Sequence, residues 1–181
     1  MNVLAMSVVA VACLVVGCAG TKASSSTSCR LRVDGDVTAR TLSVEDVESL
    51  GLKDVECSRK GETADFQAVP LEAVLRCVGV EPGEMNAAKP VEKRPGWKLT
   101  VVATATDGFQ AVFSVAEVFH DMGRTEAYVA TREKGHRLDD STGPFRLIVP
   151  TDGEGSRSVR NLERLTIIDL RKDLRPPGGT R

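Results

Sequence analysis

Residues 143–167 read GPFRLIVPTDGEGSRSVRNLERLTI, and this stretch decides the fold prediction. Its two ends, residues 145–149 and 165–168, are rich in β-branched and apolar side chains, which favours two strands. Between them lies a glycine-containing loop that carries the basic segment 157–160, RSVR. Such a loop is either a solvated edge of a sheet or a cradle for an anion such as a cofactor phosphate.

The basic segment has the donors that an anion requires. Arg157 and Arg160, with Ser158 between them, can donate several charge-assisted hydrogen bonds to a phosphate. Gly153 and Gly155 allow the backbone to approach a ligand closely. Two arginines three residues apart are also common on solvated surfaces, so composition and spacing leave both interpretations open.

Outward from this stretch, signals for strands and short helices alternate irregularly. Asp107 and Gly108 supply a turn that predicts a hairpin of residues 97–106 and 109–114. Ser43 and Ser114 begin capping-box patterns, and Pro70 opens a third helix. Further strands are expected at residues 31–37, 55–59, 66–69, 126–131, 145–150 and 165–170. This order predicts an α+β fold, a compact domain with a single mixed β-sheet and short helices.

Composition limits the function classes. The chain has 181 residues, and its 24 Lys and Arg nearly balance 25 Asp and Glu, for a formal net charge of -1. A neutral balance gives no general attraction to a polyanion, so nucleic acid is not an expected partner. With 41% hydrophobic residues, the chain can form one domain with a sizeable core.

The N-terminus predicts export. Its apolar run ends near Gly17 and is shorter than a membrane span requires. The residues before and including Cys18, VVGC, resemble the bacterial lipobox, so we expect a signal peptide at 1–17, lipidation of Cys18 and a tether at 18–29. The folded domain would occupy 30–171, with a loose tail at 172–181. The lipid would anchor the protein to a bacterial membrane, in the periplasm or at the cell surface. The alternative is an ordinary secretory signal cut near Ala19.

Three cysteines remain after export, namely Cys29, Cys57 and Cys77. In an oxidising compartment, exposed thiols tend to pair. The alternation of KDVECSRK places Cys57 on the same side as Val55, which predicts that it points inward. A buried Cys57 that acts as a small hydrophobic residue and one disulfide among the three thiols both stay open.

Other catalytic patterns are missing from the sequence. The two histidines, His120 and His136, have no metal-ligand spacing, although Asp139 and Asp140 lie close to the second. No G-x-S-x-G elbow supports a serine hydrolase, and no G-K-[ST] follows the glycines of the basic loop. Anion binding therefore remains the best-supported chemistry.

Three separated segments resemble the oxidoreductase molybdopterin-binding domain of the sulfite oxidase superfamily. They are FQAVPLEAVLRCVGV at 66–80, ATDGFQAVFSVAEV at 105–118 and AYVATREKGHRLDDSTGPFRLIVP at 127–150. They resemble the family's G-V-P-L, D-G-Y and G-G-P-x-R-L-V-V-P segments in the same order. The resemblance implies the family's mixed α+β fold over most of the mature chain.

The resemblance also implies site residues. Arg157, Ser158 and Arg160 stand where the family has the K-S-x-K of its pterin-phosphate site, and Arg146 lies nearby. Cys57 stands near the place of the family's molybdenum-ligating cysteine. The surroundings differ, because SRKGETADFQ follows Cys57 and Asn161 replaces a tryptophan. The chain also lacks room for the upstream His and Arg residues that hold the pterin.

These features predict an exported lipoprotein whose domain is a binding or accessory module without a complete molybdenum site and without a cofactor. Its partners would be the membrane, through the lipid on Cys18, and an anionic ligand or a protein. The alternative is a minimal molybdopterin-dependent oxidoreductase, with Cys57 on the metal and Arg157, Ser158 and Arg160 on the pterin phosphate. Whether the protein is an enzyme stays open at this point.

Overall fold

The computed structural model describes residues 30–59, 61–81, 98–121, 123, 125–153 and 155–173. The predicted signal peptide, Cys18, the tether with Cys29, and most of the tail lie outside these residues. Within them, ten strands and four short helices form a sheet-rich mixed α+β domain. The predicted fold class is confirmed at this level.

In chain order, the elements are β1 (Leu31–Gly35), β2 (Arg40–Leu42), α1 (Val44–Glu48), β3 (Lys53–Arg59), β4 (Glu62–Pro70), α2 (Leu71–Cys77), β5 (Leu99–Ala105), β6 (Gln110–Ser114), α3 (Val115–Val118), β7 (Tyr128–Glu133), β8 (His136–Arg137), β9 (Arg146–Ile148), β10 (Leu162–Asp169) and α4 (Leu170–Asp173).

The strands form two sheets, which corrects the prediction of a single mixed sheet. Sheet A has the order β2-β1-β10-β5-β6. Strand β1 runs parallel to β10, and the other neighbouring strand pairs of this sheet are antiparallel. Sheet B has the order β3-β4-β7-β8, and β9 also pairs with β7. All pairs in sheet B are antiparallel. The mixed character that the sequence predicts therefore belongs to sheet A alone.

One apolar core includes inward side chains of both sheets. The alternation along β10 buries Leu165 and Ile167, and β6 contributes Phe113. From sheet B, Val129 and Leu147 belong to the same core. Because few aromatic residues are available, the core consists mainly of valine, leucine and isoleucine, as the composition suggests.

A second, smaller apolar group covers the other side of sheet B and is called the outer cluster here. Its buried members are Phe66, Ala68, Ala130 and Ile148. The partly buried residues packed against them are Val55, Cys57, Ala64, Tyr128 and Leu138. Sheet B is thus apolar on both faces along β4, β7 and β9, which explains why Leu147 and Ile148, consecutive residues on opposite faces of β9, are both apolar.

The predicted helix starts are confirmed by complete capping boxes. The Ser43 hydroxyl accepts from the backbone N–H of Asp46, whose carboxylate accepts from the Ser43 N–H. Ser114 and Glu117 form the equivalent box before α3. This helix covers only four residues, because the backbone is already extended at the buried Phe119.

Helix α4 extends two residues past residue 171, the predicted domain boundary. Lys172 belongs to α4, and its ammonium group donates to the carboxylate of Asp36 beyond the end of β1. Among the described residues, no helix has the length and apolar character needed to cross a membrane.

Candidate functional site

The basic loop is held by a short backbone pairing at the edge of sheet B. The N–H of Leu147 in β9 donates to the carbonyl of Val159 at 2.8 Å, and the N–H of Val159 donates back at 2.9 Å. Both side chains are fully buried in the core. This bridge fixes Ser158 and Arg160 on either side of Val159, after which the chain crosses into β10 of sheet A.

Arg157 is bound within the protein by two carboxylates. Its Nε and Nη2 donate to the two oxygens of Asp152 at 2.9 and 2.8 Å, and its Nη1 donates to Glu117 at 3.5 Å. The guanidinium also lies 5.0 Å from the ring centroid of Phe113. Hydrogen bonding from Arg157 holds the pKa of the Asp152 carboxyl below its usual value. Arg157 thus joins its own loop to α3 and β6.

Ser158 and Arg160 instead line an open cleft with a volume of about 320 Å³. Its other lining residues are Ala105, Asp107, Phe109, Gly155 and Ser156. The Phe109 side chain is 46% exposed, so its ring is accessible. Arg160 is exposed and makes no ion pair with any side chain in the described ranges. The cleft therefore combines a cation, the Asp107 carboxylate, hydroxyl groups and an aromatic ring.

Arg146 lies on another surface. Its guanidinium stands 5.0 Å from the ring centroid of Phe66 in the outer cluster. The pairing of Arg146 with Ala130 places it in the row of strand residues that faces away from the main core. Arg146 therefore belongs to the outer face of sheet B, whereas Arg157 contacts Phe113, which is part of the main core.

Cys57 lies in β3, at the opposite edge of sheet B from the basic loop. It pairs with Ala64 and is half-buried at the margin of the outer cluster. The pairing order from β3 through β4, β7 and β9 to Val159 spans four strand spacings. At roughly 4.8 Å each, these spacings separate Cys57 from the basic loop by about 19 Å along the sheet.

The described residues do not fit a molybdopterin site as a set. The cleft that contains Ser158 and Arg160 does not include Cys57. Arg157, the third expected phosphate ligand, is held by Asp152 and Glu117. A pterin phosphate would have to displace two carboxylates to reach that guanidinium.

The thiols of Cys57 and Cys77 are free. No disulfide joins these two cysteines, and the prediction of one disulfide among Cys29, Cys57 and Cys77 stays a prediction, because Cys29 lies outside the described residues. Cys77 donates through Sγ to the carbonyl of Val74 at 3.1 Å, within its own helix. Burial raises the pKa of the Cys77 thiol, which disfavours the reactive thiolate.

The two histidines lie in different settings. The backbone N–H of His120 donates to the Glu72 carboxylate at 2.8 Å, and His136 is exposed in β8. Asp139 is occupied by the Ser141 and Thr142 groups of its own turn. In the part of the chain that the structure describes, no group of three or more His, Cys, Asp or Glu could hold a metal ion.

A further cleft among the described residues was not predicted from the sequence. It has a volume of about 780 Å³ and is lined by residues near the ends of β3, α2, α3 and β7, among them Lys53, Arg76, His120 and Tyr128. Burial raises the pKa of Tyr128, and the nearby charges of Glu126 and Glu72 act in the same direction. These residues come from separate parts of the chain, so no local motif could have indicated the cleft.

Comparison with known proteins assigns no family to the chain: no family model matches it, and no curated protein matches it.

Proposed function

We propose that the protein is an exported lipoprotein, anchored through a lipid on Cys18, whose domain is of the sulfite oxidase molybdopterin-binding type. The domain serves as a binding or accessory module and holds no molybdenum. Support for the fold type comes from the order of the three sequence segments together with the sheet-rich mixed α+β architecture. Support for export comes from the N-terminal sequence alone.

One observation carries the choice of a binding module over an oxidoreductase. Arg157 is neutralised inside the protein by Asp152 and Glu117, and Cys57 lies about four strand spacings away from the remaining basic residue. A molybdopterin enzyme needs its thiolate ligand and its phosphate ligands around one cofactor. Among the described residues, Arg157, Ser158 and Arg160 form no such grouping with Cys57.

The cleft beside the basic loop is the proposed ligand site. Arg160 and the hydroxyl of Ser158 would bind an anionic group, and the exposed ring of Phe109 would contact an apolar or planar part of the same ligand. An exposed arginine that makes no ion pair in the described ranges has no intramolecular ion pair to break when it binds an anion. The ligand is accordingly an anionic small molecule or an acidic segment of a protein partner.

Inorganic phosphate is a suitable probe for this site. We expect binding by the full chain in a calorimetric or NMR titration, and a loss of at least about tenfold in affinity for Arg160→Gln, the scale of one charge-assisted contact. Lys134→Gln is the matched control, because Lys134 is an exposed cation in the turn between β7 and β8. Equal binding by the two variants would remove Arg160 from the proposed site.

The lipid anchor is tested by Cys18→Ser. In a bacterial host, the unaltered chain is expected in the membrane fraction, and the variant in the soluble exported fraction. Cys13→Ser is the control, because Cys13 lies inside the predicted signal peptide and would be removed with it. Membrane retention of the Cys18 variant would contradict the anchor.

The second candidate is a minimal molybdopterin oxidoreductase. One observation favours it: Cys57 belongs to the outer cluster, and Arg146 stacks on Phe66 of the same cluster. A cofactor on that face would meet a thiol and a cation. This candidate predicts that the protein binds molybdenum and that this binding is lost without Cys57, whereas the binding module predicts no bound molybdenum.

A further inference from the structure

The strand β6 forms one edge of sheet A. It pairs with β5 along its whole length, and its other side has no strand partner among the described residues. Val112 in its middle is 56% exposed, the largest exposure among the large apolar side chains described. Phe109, just before the strand, is also exposed. This edge therefore combines accessible backbone groups with apolar side chains.

The other sheet edges carry charge. The edge strand β2 begins with Arg40, β3 contains Lys53, Asp54 and Glu56, and β8 consists of His136 and Arg137. Charged side chains on an edge strand discourage pairing with further strands. The sequence of β6, QAVFS, contains no charge and no proline. This edge alone lacks that protection among the edges described.

The hydrogen-bond pattern shows which backbone groups of β6 are available. The N–H of Ala105 donates to the carbonyl of Phe109 at 2.9 Å, so residues 109, 111 and 113 face β5. Residues 110, 112 and 114 therefore direct their N–H and C=O groups outward. The Ser114 N–H donates to Glu117 at 2.9 Å, which leaves Gln110 and Val112 as the pairing groups.

We propose that β6 pairs antiparallel with β6 of a second copy of this chain, with Gln110 of each copy opposite Val112 of the other. This register uses the outward groups of both residues in four backbone hydrogen bonds and leaves the Ser114 cap intact. Ala111 lies opposite its own counterpart on the twofold axis, where a small side chain allows close approach.

A second copy fits this edge because the register is self-complementary. No charged side chain of β6 opposes another, and a neutral edge gives no preference for an acidic or basic partner strand. With five residues from each copy, the interface buries less surface than the roughly 1,200 Å² that stable complexes bury at least. The dimer is accordingly weak and depends on concentration.

The register is tested by a mixture of two full-length variants, Gln110→Cys and Val112→Cys. Both side chains are exposed, so the substitutions leave the core unchanged. Paired residues at about 5.5 Å between Cα atoms are within disulfide range. On mild oxidation, peptide mass spectrometry should find a disulfide between positions 110 and 112. Replacing the second variant with Leu52→Cys, exposed before β3, should give no such product.

The association itself is tested by sedimentation of the full chain over a range of concentrations. Val112→Lys is expected to weaken dimerisation at least about tenfold, because two added charges oppose the pairing. Leu52→Lys should leave it unchanged. A chain that stays monomeric throughout, or oxidised mixtures without the link from 110 to 112, would overturn the proposal and show that another segment or partner covers this edge.

Discussion

Arg157 and Arg160 lie three residues apart in the same loop, yet their surroundings differ. The Arg157 side chain is 32% exposed and donates to Asp152 and Glu117. Arg160 is exposed at the mouth of a cleft. The sequence could not distinguish them, because Asp152 is near both arginines in the chain and the second partner of Arg157, Glu117, lies forty residues away. The same basic motif thus contains one side chain held by the protein and one available to a ligand.

Arg157→Ala should lower the free energy of unfolding by about 1–3 kcal/mol, because the Asp152 carboxylate, only 14% exposed, loses its partner. Arg160→Ala should change it by no more than about 0.5 kcal/mol, as for other exposed sites. Urea denaturation measures both. Similar losses for the two variants would show that Arg157 is not the structural member of the pair.

Asp169, at the end of β10, provides a pH-dependent contribution. Hydrogen bonds from the Arg171 guanidinium lower the pKa of Asp169 from its usual value to about 2, against a smaller opposing effect of burial. A carboxyl whose pKa is depressed in the folded state stabilises the protein at pH values above the unfolded pKa. This contribution falls as the pH drops from about 4 to about 2.

Asp169→Asn should therefore lower stability most near neutral pH. The difference in unfolding free energy between the unaltered chain and the variant should shrink as the pH falls from about 4 to about 2. Urea denaturation at several pH values measures it. A difference that stays constant over this range would mean that the ionised carboxylate is not the stabilising species.

Gly35 and Gly51 have similar φ angles but different surroundings. Substitutions at these two positions therefore distinguish the cost of backbone strain from the cost of a steric clash. Gly35 has φ of 100°, and a Cβ there would lie 2.1 Å from the Ile167 carbonyl oxygen in β10. Gly51 has φ of 108° with open space around it. Gly51→Ala should cost about 1–2 kcal/mol. Gly35→Ala should cost clearly more, since β1 and β10 must separate. Equal thermal shifts would refute the close approach.

At the scale of elements, the sequence predicted the turn and the helix starts that contacts between neighbouring residues stabilise. The hairpin of β5 and β6 follows its Asp107 turn, whose carboxylate accepts the Phe109 N–H at 2.9 Å. The helix starts at Ser43 and Ser114 follow their capping boxes. The strands β2 and β8 were not predicted, because two or three residues carry no periodicity. Only their pairing with β1 and β7 defines them.

The cap of α3 makes a testable contribution. Ser114→Ala should destabilise the protein by about 1 kcal/mol, since the hydroxyl that accepts the Ala116 N–H is lost. Ser58→Ala is the control, because that hydroxyl contacts only the exposed Thr63 hydroxyl in the hydrogen bonds described. The midpoint of urea unfolding should shift for the first variant and not for the second. A neutral Ser114→Ala would mean that the cap does not support α3.

At the scale of the whole molecule, the sequence predicted the class of fold and not the arrangement of its sheets. The parallel pairing of β1 with β10 joins residues more than 130 positions apart, and no local pattern encodes it. The division into two sheets likewise depends on which strands meet across the core. Residue types at Cys57 and at the basic loop suggested one site, whereas the order of strands in sheet B separates them.

The molybdenum and pterin content of the full chain tests the central claim most directly. The protein should be expressed in a host that makes the molybdenum cofactor, alongside Cys57→Ser, and both should be analysed for metal and pterin after purification. The proposed binding module predicts background molybdenum and pterin in both proteins. Molybdenum near one atom per chain in the unaltered protein, lost in Cys57→Ser, would contradict it.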